Sequence, residues 1–211
     1  MNCILCEGPA TLFFIEPRNQ YQYLHCQTCD LRFLHPRFRL TSKEEHSRYL
    51  LHKNDINDLE YQKFVSPLYK VVLDSCSSDS IGLDYGCGAA PVVSHLLTQQ
   101  GYSVLHYDPF FKPDKGVLEK KYRFILAVEV VEHFYDPGRE LLKLSHLLDP
   151  KGALGIMTLL YNPKDSFESW YYKNDPTHVC FYSELTFQWI VSKFGFSSCT
   201  FYGPRTLWLS R

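Results

Sequence analysis

A chain of 211 residues, 45% of them hydrophobic and 21% charged, holds enough apolar material for one full domain and a small accessory module. A formal net charge of −1 leaves no electrostatic footprint for nucleic acid, and no apolar run is long enough to span a bilayer. Met1-Asn2-Cys3 lacks the charged and apolar regions of a secretory signal. The eight cysteines therefore read as thiols or metal ligands of a cytoplasmic protein rather than as disulfides.

Cys3-x-x-Cys6 and Cys26-x-x-Cys29 come first, nineteen residues apart. Two such pairs close tetrahedrally on one zinc ion, and Thr11–Ile15 and Gln20–Leu24 between them read as the strands of a hairpin. This is a zinc ribbon; a redox dithiol is the competing reading of the same four residues. Cys76, Cys87, Cys180 and Cys199 lack such pairing and read as small apolar residues. Arg32, Arg37 and Arg39 either meet an acidic partner or form a solvated face. A structural role for the ribbon ranks first, because a terminus this small has little core of its own.

Residues 41–75 read as helical. Thr41 or Ser42 can cap, Glu44 and Glu45 suit the first turn, and Asn54-Asp55-Ile56-Asn57 interrupts the run. A second helix carries Tyr61, Phe64, Leu68, Val71 and Val72 at core spacing. These helices either lie over a pocket as a lid or link the ribbon to the next domain. Ser77-Ser78-Asp79-Ser80 marks the boundary.

An apolar run ending in Asp84 then meets the turn Tyr85-Gly86-Cys87-Gly88, and Pro91 opens an amphipathic helix. Gly86 and Gly88 permit positive φ and close approach of a ligand. In an α/β sheet such a turn is a nucleotide-type cofactor site. A second strand, Tyr102–Tyr107, ends at Asp108, twenty-four residues after Asp84, where a carboxylate can accept hydrogen bonds from ribose hydroxyls. Only thirteen residues, Pro109 to Lys121, precede the strand that begins at Tyr122, so the usual third strand is short or absent. Phe110 and Phe111 either sandwich an adenine or plug the shortened edge. Phe124–Val128 leads into Glu129-Val130-Val131-Glu132-His133, and Asp136-Pro137 starts a helix through Leu148. Gly152–Thr158 is a further strand, and Tyr161–Cys180 an aromatic, proline-punctuated insertion containing His178. Ser183 caps a last helix stopped by Gly195, and Phe196–Tyr202 with Arg205–Leu209 forms an antiparallel hairpin.

The glycine loop, the distant acid and the E-x-x-E-H element together resemble the class I S-adenosylmethionine-dependent methyltransferases, specifically the ubiquinone-biosynthesis branch, over roughly residues 80–211. The resemblance implies a Rossmann-like α/β sheet with helices on both faces. Its divisions are a zinc ribbon at 1–40, a helical linker or lid at 41–76 and a methyltransferase domain at 77–211. It implies S-adenosylmethionine held by Asp84, Gly86, Cys87, Gly88, Asp108, Phe110, Glu129 and Val130. The acceptor is a small molecule methylated at oxygen, nitrogen or carbon. Ribosomal RNA, a protein substrate and non-catalytic cofactor binding are the alternatives. A nicotinamide oxidoreductase would share the loop and the acid but not Glu129–His133. Glu129, Glu132 and His133 could hold a divalent cation, although capping of the next helix by Glu132 and His133 is the preferred reading. For a base, His178 ranks ahead of His133.

Overall fold

The computed structural model describes residues 1–51 and 55–211. In chain order the elements are β1 (Ala10–Ile15), β2 (Gln22–Cys26), β3 (Arg32–Leu34), α1 (Ser42–Tyr49), α2 (Leu59–Ser75), β4 (Ile81–Tyr85) and α3 (Val92–Gln99). Then follow β5 (Ser103–Tyr107), β6 (Tyr122–Val128), α4 (Pro137–Leu147), β7 (Leu148–Met157), β8 (Cys180–Phe181), α5 (Glu184–Lys193), β9 (Ser198–Tyr202) and β10 (Thr206–Ser210). Asn54, at the interruption expected between the two early helices, lies outside the described residues.

Six strands form the main sheet in the order β5-β4-β6-β7-β10-β9. The first four run parallel, and the β9–β10 hairpin closes it antiparallel against β7. Among the described residues no strand lies between β5 and β6. That stretch is spent on a bridge between Asp108 and Lys112 and a 3-10 turn, Lys115–Glu119, capped by Asp114. β5 is therefore the edge, and it carries no fully buried side chain.

Alternation along β6 supplies both cores. Phe124 and Leu126 face α2 and α3 with Val65, Leu68 and Trp208. Ile125 and Ala127 face α4 and α5 with Leu141, Leu144, Phe187 and Ile190. Helix α2 can sit tight on the sheet because β7 offers Gly155 there. A Cβ at that point would lie 2.7 Å from Leu68 and 3.0 Å from Trp208. Three helices begin where side-chain chemistry provides a cap: Thr41 and Glu44 bond reciprocally at α1, Asp58 takes two amides at α2, and Ser183 and Thr186 box α5.

The amino-terminal residues form a second sheet, β1-β2-β3-β8, all antiparallel. Its second strand begins at Gln22 rather than Gln20. Gln20 turns at φ 60°, and the Tyr21 N–H is taken by the Asn19 side chain, so pairing starts later than expected. The fourth strand, β8, is contributed from beyond the main sheet's fourth parallel strand. Buried Leu5, Leu31 and Phe33 accordingly share one continuous apolar core with α4 and α5.

Candidate active site

The glycine loop follows from β4 ending in a buried acid. Asp84 accepts a 2.6 Å hydrogen bond from Ser94 Oγ, and burial, with the Asp108 charge adding to it, pushes its carboxyl up to about 6. Gly86 and Gly88 have φ 76° and 62°. A Cβ on Gly86 would strike Val130 at 2.6 Å, whereas one on Gly88 would meet nothing within 4 Å. Gly88 thus leaves backbone bare towards open space, as a cofactor cradle requires.

Asp108 is held from two sides. Its Oδ2 accepts the Gly88 N–H at 3.0 Å, and Oδ1 accepts the amides of Phe110 and Phe111 at 2.8 and 3.0 Å. The carboxylate is thereby aimed, with lone pairs left to accept further donors. Cys87 is buried beside it, and burial with two neighbouring carboxylates pushes its thiol up, so it is neutral and inert. Phe110 stacks flat on His46 of α1, with ring centroids 5.0 Å apart.

A cavity of about 700 Å³ opens over this loop. The structure brings all ten residues singled out for cofactor and catalysis to its wall: Asp84, Gly86, Cys87, Gly88, Asp108, Phe110, Glu129, Val130, His133 and His178. Glu45 and Tyr49 of α1 and Tyr61 and Phe64 of α2 also line it.

The far end of the cavity is built on Glu129–His133. Glu129 follows β6 with φ 52°; its Oε2 accepts Arg205 Nη1 at 2.7 Å and lies 3.2 Å from the Tyr172 hydroxyl oxygen. Burial and the nearby Glu132 raise its carboxyl to about 7 against the pull of Arg205. Glu132 is fully buried; one oxygen accepts the Tyr172 hydroxyl, and Oε2 has no partner among the described residues.

Glu132 and His133 do not cap the next helix, contrary to the preferred expectation. They occupy a separate 3-10 turn, Val131–His133, and Asp136 caps α4 by accepting the Arg139 N–H at 3.1 Å. Pro137 at the first helical position places the helix start too far along the chain for Glu132 or His133 to reach it.

His178 Nδ1 lies 2.7 Å from the Tyr172 carbonyl, and His133 Nδ1 lies 2.9 Å from the Thr177 carbonyl. A carbonyl only accepts, so each Nδ1 carries the proton, and a neutral His178 ring keeps its lone pair on Nε2. Burial, with His133 adding to it, lowers the His178 pKa against the opposing charge of Glu132. The two rings are 4.9 Å apart. Ligand atoms of Glu132, His133 and His178 lie within 4.8 Å of one another, so these three could hold a cation, while Glu129 turns to Arg205 instead.

Sequence reasoning missed Arg205 and Tyr172. Arg205 reaches in from the β9–β10 turn, its guanidinium 5.3 Å from the Phe64 and Tyr172 ring centres. Tyr172 stood within the flagged insertion as one aromatic among many. No spacing ties Arg205 to Glu129; only the closing hairpin does.

At the other site, the cysteine sulfurs stand 3.6 Å apart for Cys3–Cys29 and 3.4 Å for Cys6–Cys26, and all four lie within 4.8 Å of one another. Tetrahedral zinc with bonds of about 2.3 Å needs sulfur separations of about 3.8 Å, so the residues fit that ion. The two knuckles repeat one geometry. Leu5 and Thr28 aim their amides at Cys3 and Cys26 Sγ, both at 3.4 Å, and Glu7 and Asp30 turn at φ 59° and 60°.

The profile of a family described as "Methyltransferase domain" matches residues 58–199, well over half of the chain. The chain belongs to this family. No curated protein matches the sequence of this methyltransferase. Solved structures share its fold. A Burkholderia thailandensis 1,6-didemethyltoxoflavin-N1-methyltransferase, with its substrate and S-adenosylhomocysteine bound, aligns over 95% of this chain and 98% of its own at 12% identity, TM-score 0.53. A Synechocystis magnesium protoporphyrin IX methyltransferase with bound S-adenosylhomocysteine aligns over 81% and 94% at 18% identity, TM-score 0.51. An Archaeoglobus fulgidus S-adenosylmethionine-dependent methyltransferase aligns over 71% and 94% at 16% identity, TM-score 0.54. Among the described residues no helix is long and apolar enough to cross a membrane.

Proposed function

We propose that the protein transfers a methyl group from S-adenosylmethionine to a small-molecule nucleophile, with His178 as base. The observation that carries this reading is the bare Gly86–Gly88 turn beside an Asp108 carboxylate already aimed by three amides, in a methyltransferase-family chain. When bound, the cofactor supplies an electrophilic methyl group on a sulfonium. Asp108 would accept its ribose hydroxyls, Gly86 and Gly88 would approach it closely, Phe110 would cover its base, and Glu129 and Val130 would border its other end.

The chain's own work is to orient the acceptor, exclude water and move one proton. A hydroxyl or amine becomes cationic as it takes the methyl group, and His178 Nε2 receives the proton that must leave. The Tyr172 carbonyl fixes the tautomer, and Glu132, whose carboxyl burial pushes up, would in its ionised form stabilise the imidazolium. His133 is the second candidate.

Two of the structural relatives named above are methyltransferases of 1,6-didemethyltoxoflavin and of magnesium protoporphyrin IX, which favours a small acceptor here as well. Two of the three arginines that could have greeted nucleic acid have other duties, while Arg37 is exposed and lies over the Phe38 ring. Arg32 is buried over Phe13 and Tyr161 and paired with Asp30, and Arg39 donates to the Tyr135 carbonyl. We assign residues 1–40 to a structural zinc ribbon on Cys3, Cys6, Cys26 and Cys29. We read 41–76 as a lid, since Glu45 and Tyr49 of α1 and Tyr61 and Phe64 of α2 line the cavity, and 77–211 as the catalytic domain.

Calorimetry with S-adenosylhomocysteine tests the assignment. Charge-assisted bonds of this kind contribute about 1.5–3 kcal/mol, so Asp108→Ala should weaken binding about ten-fold or more. Unchanged affinity in that variant, or preference for a nicotinamide cofactor, would overturn it.

A further inference from the structure

The ribbon is joined to the cavity by backbone. Strand β3 pairs with β8, Phe33 opposite Cys180 and Arg32 opposite Phe181. One residue earlier, Val179 is bound on both sides: its N–H donates to the Glu132 carbonyl at 2.8 Å, and its carbonyl accepts the Leu34 N–H at 2.9 Å. Val179 is thus the joint between the ribbon and the Glu132–His133 turn, and His178 is its immediate neighbour.

Side chains reinforce the joint. Asp30, the residue after the ligand Cys29, receives the Ser183 hydroxyl just beyond β8. Lys173, 3% exposed at its side chain, pairs with Glu16 at 2.5 Å, and the Tyr23 hydroxyl donates to the Lys173 carbonyl. Phe167 of the insertion packs edge-on against Phe13, Phe14 and Tyr23. By contrast, the backbone amides of the Gly86–Gly88 loop donate to Tyr107 and Asp108.

We infer that the metal-binding ribbon is a positioning element for His178: the metal orders β3, β3 holds β8, and β8 sets where the imidazole sits at the acceptor end of the cavity. This rests on the readings of the four cysteines as a zinc site and of His178 as an acceptor-side group. Without the metal, the two knuckles lose the bond that joins them, and a three-residue strand cannot keep its register alone. Disorder should then pass through Val179 into the insertion, while the β4–β6–β7 core stays closed.

Hydrogen exchange on the full chain, loaded with one zinc equivalent and then stripped by a chelator, reads this directly. Amides of residues 179–182 should exchange at least ten-fold faster in the stripped protein, together with those of β2 and β3. Those of Ile125–Ala127 should be unchanged. The His178 Nδ1–H signal in long-range nitrogen spectra should broaden on stripping, and both effects should reverse on adding zinc. Because the stripped chain could unfold altogether, Cys6→Ser provides a second preparation. It weakens the site at its half-exposed ligand, and the 179–182 exchange should follow zinc concentration. Protection of 179–182 that persists while β2 and β3 open would overturn the coupling, as would equal acceleration of Ile125–Ala127 in both preparations. Elemental analysis of the purified protein tests the zinc reading separately, and a His178 variant tests the catalytic one.

Discussion

His178 and His133 look interchangeable by composition, and their surroundings separate them. His178 has its tautomer set from inside the insertion and lies close to the buried Glu132 carboxyl, whose pKa burial raises. His133 meets the Thr177 carbonyl and the edge of Tyr49. His178→Asn retains an N–H for the Tyr172 carbonyl but has no basic nitrogen. Turnover of an identified acceptor should fall roughly 10²-fold or more, with S-adenosylhomocysteine affinity unchanged. His133→Asn should cost less. Normal turnover in the His178 variant would send the proton by another route. Asp84 makes a separate prediction. A carboxyl raised from 3.8 to about 6 binds its proton more tightly in the folded state, so its contribution is complete below the unfolded value and is lost as pH rises through 6. Relative to Asp84→Asn, the ligand-free wild type should lose stability between about pH 4 and 6 and lose no more above that. The full difference is about 3 kcal/mol at ~1.4 kcal/mol per pH unit. Urea midpoints of the two proteins across that range check it.

Among the elements, those whose cause is local were legible in the sequence. Caps at Thr41, Asp136 and Ser183, the stop at Gly195 and the closing hairpin depend on neighbours a few residues away, and the structure has them. The shortened crossover after Asp108 could be read from its length, because too few residues remain for helix and strand together. What the sequence concealed is long-range pairing. Two residues, Cys180 and Phe181, give no strand signal of their own; they become β8 because β3 presents an unpaired edge to them. Arg205 and Glu129 meet across seventy-six positions, through a hairpin turn tied beside the end of β7 by bonds from Thr158 and Leu160. The Glu132–His133 misassignment has the same origin. An acid before a helix reads as a cap by default, and only the buried Tyr172 hydroxyl, forty positions away in Glu132's case, shows where that carboxylate is used.

For the whole molecule, one apolar core runs from the ribbon through the α4–α5 face, while a second lies under α2 and α3. The cavity sits where the carboxyl ends of β4, β5 and β6 meet helices α1 and α2, so a ligand filling it would link the sheet to both helices. A ligand that binds only the folded state stabilises it by about 2.7 kcal/mol at one hundred times its Kd. For a chain of this size that corresponds to a rise in Tm of about 5–11 °C. S-adenosylhomocysteine should produce such a rise in thermal scans, and NADH at the same concentration should not. The reduced third-strand region makes the comparison sharp. The 3-10 turn Lys115–Glu119 stands where the first half of a dinucleotide-binding fold would carry its third strand beside β5. A shift with NADH equal to that with S-adenosylhomocysteine would mean that the glycine loop is read for its phosphate-binding potential, and Asp108 would lose its assigned partner.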